Sequence, residues 1–150
     1  MTRSSTTAWI FALLFSGLAA HTLAAEEHWS APEAAAKRRN PIPPTAPAIE
    51  EGRRLFKQHC VTCHGPAGRG DGPAAAALKP PPADLATMAG HHPDGDLAWK
   101  IANGRGAMPP WRGTLSDNQI WILVTFIKNL PAAESGQPNS GQHNRKQHHH

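Results

Sequence analysis

Cys60-Val61-Thr62-Cys63-His64 is a Cys-x-x-Cys-His run, and it holds the only two cysteines of the chain. Two thiols at that spacing can face one edge of a porphyrin and bond to its two vinyl groups. The histidine that follows then turns its imidazole toward the iron. The spacing is the attachment signature of c-type haem. Two other chemistries use cysteine pairs. A thioredoxin-like dithiol belongs after a strand in an α/β fold, whereas a helical pattern precedes Cys60. A zinc site wants four nitrogen or sulfur ligands. No second cysteine pair exists, so His64, His91 and His92 would have to help complete one. The context favours one covalent haem c on Cys60 and Cys63, with His64 as its proximal ligand.

Haem iron has a second axial position. Its candidates are Met88, Met108, His91, His92 and the remaining histidines. Met108 is preferred. It lies far enough downstream to close the other side of the ring. Pro109-Pro110 stiffens the chain behind it, and Gly104, Gly106 and Trp111 flank it in a loop suited to a flat cofactor. Met88 reads instead as core filler or as part of a loop. A Met/His pair raises the reduction potential and leaves no open site for a substrate, which favours outer-sphere electron transfer over catalysis at iron.

Helices must position these groups. Ile49, Gly52, Leu55 and Phe56 recur at helical spacing, predicting a helix over Ala48–His59, with Glu50 and Glu51 in its first turn. Gly65–Pro73 is a loop by glycine and proline density. Ala74–Leu78 makes a short helical turn. Asp94–Asn103 is a helix with Asp94 as its N-cap and Gly104 as its stop. The last helix runs from Ser116 or Asp117 to about Asn129. Ser116 and Gln119 form a capping box there, and Ile120, Leu123, Val124 and Ile127 form its apolar face. Strand signals are nearly absent.

The ends of the chain read differently. Residues 1–25 look like a secretory signal peptide: Arg3, an apolar run from Ala8 to Ala20, then Leu23-Ala24-Ala25. That run is shorter than the ~20 residues a membrane span needs, so membrane association is expected only if the segment stays uncleaved. Residues 26–47 are rich in proline and read as an extended linker outside the packed core. Residues 132–150 read as a disordered tail carrying His143 and His148-His149-His150. The core is therefore 48–131. The formal net charge is +4, but the core holds 9 basic and 7 acidic residues, too balanced to suggest a nucleic-acid partner. Export implies the periplasm.

From Ala48 to Pro131 the chain resembles the class I c-type cytochromes. Gly52-Arg-Arg-Leu-Phe56 before Cys60 is similar to that family's first helix, where glycine and an aromatic residue cross the C-terminal helix. Leu123, Phe126 and Ile127 would be the partners, with Trp121 a further aromatic. Gly68–Pro73, Leu78–Leu85, Asp94–Trp99 and Ile101–Trp111 are similar to a bacterial branch of the family. The resemblance implies a small all-α domain wrapped around one covalently attached haem. It also implies a proline carbonyl bonded to the proximal imidazole, from Pro73 or one of Pro80–Pro82. Trp99, Arg105, Trp111 and Arg112 would then be haem-pocket residues. The implied activity is electron carriage to redox protein partners that dock transiently. The chain would act as a monomer or as a subunit of a redox complex, with no catalytic residue of its own.

Overall fold

Gly52 is where the fold closes. In the computed structural model, which describes residues 29–131, helix α2 (Ala46–His59) crosses helix α6 (Asp117–Lys128) at this residue. A Cβ on Gly52 would stand 2.5 Å from Phe126 Cβ and 2.8 Å from the Ile122 carbonyl oxygen. The missing side chain lets the two backbones approach. Phe56 and Phe126 then pack with ring centroids 5.2 Å apart. Leu55, Phe56, Leu123 and Val124 are the most deeply buried large side chains here, and each such burial contributes roughly 1.5–3 kcal/mol.

The other elements lie along this pair. In chain order they are α1 (Glu33–Ala36), α2, α3 (Val61–His64), a 3-10 turn at Ala75–Ala77, α4 (Leu85–His91), α5 (Asp94–Asn103) and α6. The described residues contain no strand, only two isolated bridges, so the fold is all-α as expected. Caps set the helix ends. Ser116 accepts from the Gln119 amide while Gln119 reaches back to the Ser116 amide, completing the expected capping box. Gly104 ends α5 with φ 62°, a left-handed conformation that glycine adopts without steric cost.

Several expectations about the helices need correcting. Helix α2 begins two residues earlier than expected, because Thr45 caps it by accepting from the Ala48 amide. Glu50 and Glu51 therefore lie beyond the first turn and pair with Arg53 and Arg54. Asp94 is the first residue of α5, not its cap, which is Pro93. Helix α4 was not anticipated, although Asp84 caps it through the Thr87 amide. Its seven residues, about two turns, are too few to show a period.

The largest correction concerns the expected linker. Residues 29–45 pack on the helices. The Ala31 amide donates to Asp96 Oδ1 at 2.7 Å. Asn40 Nδ2 donates to the Trp121 carbonyl and to Thr125 Oγ1, and Thr125 Oγ1 donates to the Ile42 carbonyl. Ile42 joins the hydrophobic cluster, and the Arg38 guanidinium lies 5.1 Å from the Trp121 ring centroid. Proline richness described the local backbone here, while side chains far along the sequence supplied the partners. The expected signal segment, and the tail with its histidines, lie outside the described residues.

Candidate haem site

The attachment run is itself a helical turn. Cys60 ends α2 with its amide bonded to the Phe56 carbonyl, and its own carbonyl accepts from the Cys63 and His64 amides at 3.1 and 2.9 Å. This turn puts Cys60, Cys63 and His64 in the wall of one open cleft. The loop after it folds back to hold the turn: the Gly72 amide donates to the Cys63 carbonyl and the Ala74 amide to the Thr62 carbonyl.

His64 Nδ1 lies 3.1 Å from the Ala83 carbonyl oxygen. That bond fixes the ring and leaves Nε2 for a metal, an outer hydrogen bond of the kind that orients metal-bound histidines. The acceptor is Ala83, not Pro73 or any of Pro80–Pro82. Pro80, Pro81 and Pro82 line the cleft and lead the chain to Ala83, whereas Pro73 is exposed and outside it. Burial holds the imidazole's proton affinity below the ordinary histidine value, partly opposed by the Ala83 bond. The neutral form, which can ligate, is favoured.

Met108, in the loop after α5, lines the same cleft. Arg105 and Met108 exchange both backbone hydrogen bonds, at 3.0 and 3.1 Å, closing a tight turn. The Trp111 and Arg112 amides donate to the Ile101 and Ala102 carbonyls and pin the loop to the end of α5. A Cβ at position 104 would run into the Met108 carbonyl oxygen, so glycine lets the loop fold back onto itself. Met88, on α4, also lines the cleft. His91 is exposed, and His92 is 2.7 Å from Asp96.

The rest of the wall is mostly apolar: Phe56, Leu78, Leu85, Leu97, Ile101, Leu123 and Ile127 among others. Arg105 and Trp111 belong to it. Trp99 and Arg112 do not: Trp99 sits half-buried on α5 outside the cleft, and Arg112 is exposed. Sequence reading missed Trp29, His59 and Lys100, all in the wall. His59 meets the Trp111 ring edge-on at 5.0 Å.

The rival chemistries fare poorly here. Burial, and secondarily Cys63, pushes the Cys60 thiol up to about 12, whereas a reactive dithiol needs a thiolate near neutral pH. Among the described residues no three His, Cys, Asp or Glu side chains come together to hold a metal ion. An apolar cleft lined by two thiols, a neutral imidazole and two thioethers does fit haem c.

Residues 47–127 match the family described as "Cytochrome C oxidase, cbb3-type, subunit III", which is more than half of the chain. The chain belongs to the class I c-type cytochromes. It is 33% identical over 85 residues to cytochrome c6 of Leptolyngbya boryana, covering 57% of this chain and 93% of that one. It is 30% identical over 86 residues to the cbb3-type cytochrome c oxidase subunit CcoP of Azospirillum brasilense, covering 57% of this chain but only 29% of CcoP. Among solved structures, the reducing HAO-like protein complex Kustc0457/Kustc0458 of Kuenenia stuttgartiensis aligns with a TM-score of 0.52 and 30% identity. That alignment covers 60% of this chain and 46% of that one. The cofactor of this family is covalently bound haem c. Among the described residues no helix is long and apolar enough to cross a membrane.

Proposed function

We propose that this cytochrome is an exported one-electron carrier whose haem iron is held axially by His64 and Met108. Haem c, when bound, supplies an iron that cycles between Fe(III) and Fe(II). The chain's own residues supply the rest. Cys60 and Cys63 hold the ring, and Ala83 orients the His64 imidazole. The Arg105–Met108 turn presents a thioether from a loop that α5 braces. The apolar wall excludes water, so a change of charge at the centre drives little rearrangement. The observation that carries this reading is that Cys60, Cys63, His64 and Met108 all line one cleft. Residues 1–25, read as an export signal, support a periplasmic location. Relatives named as oxidase subunits support a larger redox assembly as one kind of partner, with weak and transient docking.

Met88 lines the same cleft and is the rival distal ligand. Comparing Met108→Ala with Met88→Ala decides between them. The Met108 variant should lose the far-red sulfur–iron band, bind carbon monoxide when reduced and fall in potential. That fall should be a sizeable part of the roughly 0.8 V that axial ligation spans. The Met88 variant should keep the band. The reverse pattern would move the ligand to α4.

A further inference from the structure

The Ala83 carbonyl orients the His64 ring, yet a methyl side chain gives Ala83 little to be held by. Its neighbours must place that carbonyl, and three residues of the loop after the attachment run do so. The Gly70 amide donates to the His64 carbonyl at 2.9 Å. The Leu85 amide donates to the Gly68 carbonyl at 2.7 Å, which fixes the chain two residues beyond Ala83. Gly70 also meets the residue just before Ala83. A Cβ on Gly70 would run into the Pro82 carbonyl oxygen and stand 3.3 Å from the Ala83 carbonyl carbon. The proximal histidine and the acceptor for its ring are therefore both set against Gly68-Arg69-Gly70.

That loop is the firm partner in the arrangement. The Gly72 and Ala74 amides clasp it to the Cys63 and Thr62 carbonyls of α3. Gly72 lies so close to α3 that a Cβ there would stand 2.5 Å from the Val61 and Thr62 carbonyl oxygens. Gly70 itself has φ 77°, the left-handed region that glycine enters without steric cost. Position 70 thus has two separate reasons to be glycine, and the close approach to Pro82 is the one that bears on Ala83.

We propose that Gly70 is a positioning residue for the proximal ligand: its bare Cα lets Pro82 seat against the loop, and that seating sets the His64–Ala83 bond and, through it, the reduction potential. The inference rests on the haem reading above. A hydrogen bond given by Nδ1–H makes the imidazole a stronger donor at Nε2, which favours the more highly charged Fe(III). Lengthening the bond weakens that donation and raises the potential.

The test compares the full-length holoprotein with Gly70→Ala, using Gly113→Ala as the control. Gly113 has φ 96° and nothing within 4 Å of a Cβ, so alanine there brings left-handed strain without a collision. Gly70→Ala should raise the midpoint potential in a spectroelectrochemical titration. In the reduced protein its His64 Nδ1–H proton resonance should move upfield, as it does when a hydrogen bond weakens. Gly113→Ala should leave both readouts in place. An unmoved potential or resonance in Gly70→Ala, or equal shifts in Gly113→Ala, would overturn the proposal. If Gly70→Ala does not mature, Gly68→Ala takes its place. Its Cβ would meet the end of Leu130 at 2.8 Å and Leu85 Cβ at 3.5 Å, so it presses on the other side of the same segment. It should move both readouts in the same direction by less, and unchanged values there would equally overturn the proposal. A c-type haemochrome in the unaltered protein keeps the haem reading standing whichever way these shifts fall. Its absence would remove that reading instead.

Discussion

Asp96 shows how one side chain ties chemistry to stability. Burial alone would push its carboxyl up. The hydrogen bonds from Lys100, the Ala31 amide and His92, together with the Lys100 charge, outweigh burial and hold it below the ordinary value of 3.8. A carboxyl depressed by folding contributes stability above its unfolded value and loses it as pH falls through the folded one. The cytochrome should therefore lose stability in acid below about pH 4, and Asp96→Asn should flatten that dependence. The same variant should be less stable at pH 7 by about 3–5 kcal/mol, because it strands Lys100. Denaturant melts across pH check both statements; an unaltered acid slope would contradict them. At Cys60 and Cys63 the outcome is chemical. The double variant Cys60→Ser/Cys63→Ser should retain no haem through acid-acetone extraction, and haem that survives the extraction would refute attachment there.

Helix crossings carry most of the fold. Gly52→Ala would drive a methyl group into Phe126 and the Ile122 carbonyl. Backbone cannot yield as a flexible side-chain end can. Overpacking of this kind costs about 1–3 kcal/mol, or roughly 4–8 °C in melting temperature per kcal/mol for a domain of this size. A melting temperature equal to wild type would show that the two helices can separate freely. These crossing helices were legible in the sequence because their apolar residues recur over three turns or more, and because Ser116 and Gln119 form a local cap. Helix α4 was not, since Leu85–His91 is too short for a period to emerge. The acceptor for His64 was missed for a related reason. The expected acceptors, Pro73 and Pro80–Pro82, were all prolines, and which carbonyl reaches His64 depends on how the chain turns into Ala83, which residue type does not encode.

At the scale of the whole molecule, the strap 29–45 is what local reading could not see. Prolines 41, 43 and 44 mark an extended backbone, and extended backbone can pack as well as wander. What decides is Thr125 and Trp121, some eighty residues away. Asn40 donates there to the Trp121 carbonyl and to Thr125 Oγ1, and it accepts locally from the Ile42 amide. Asn40→Ala should cost about 1–3 kcal/mol and speed proteolysis of the strap before that of the helical core. Simultaneous cleavage of both, at wild-type rates, would mean the strap is held elsewhere. The cleft shows the same division. Cys60, Cys63, His64 and Met108 announced themselves by motif and flanking prolines. Trp29 and Lys100 reach the wall only through tertiary packing, and Trp99 misses it because its position on α5 faces away.

The most direct test of the central claim is a visible spectrum of the protein made in a host with working haem maturation, oxidised and dithionite-reduced, with a pyridine haemochrome on the same sample. The account predicts a c-type haemochrome, sharp reduced bands and a weak far-red sulfur–iron band in the oxidised state. A colourless protein from a host with working haem maturation would contradict covalent haem, and a haemochrome without the far-red band would contradict ligation by Met108.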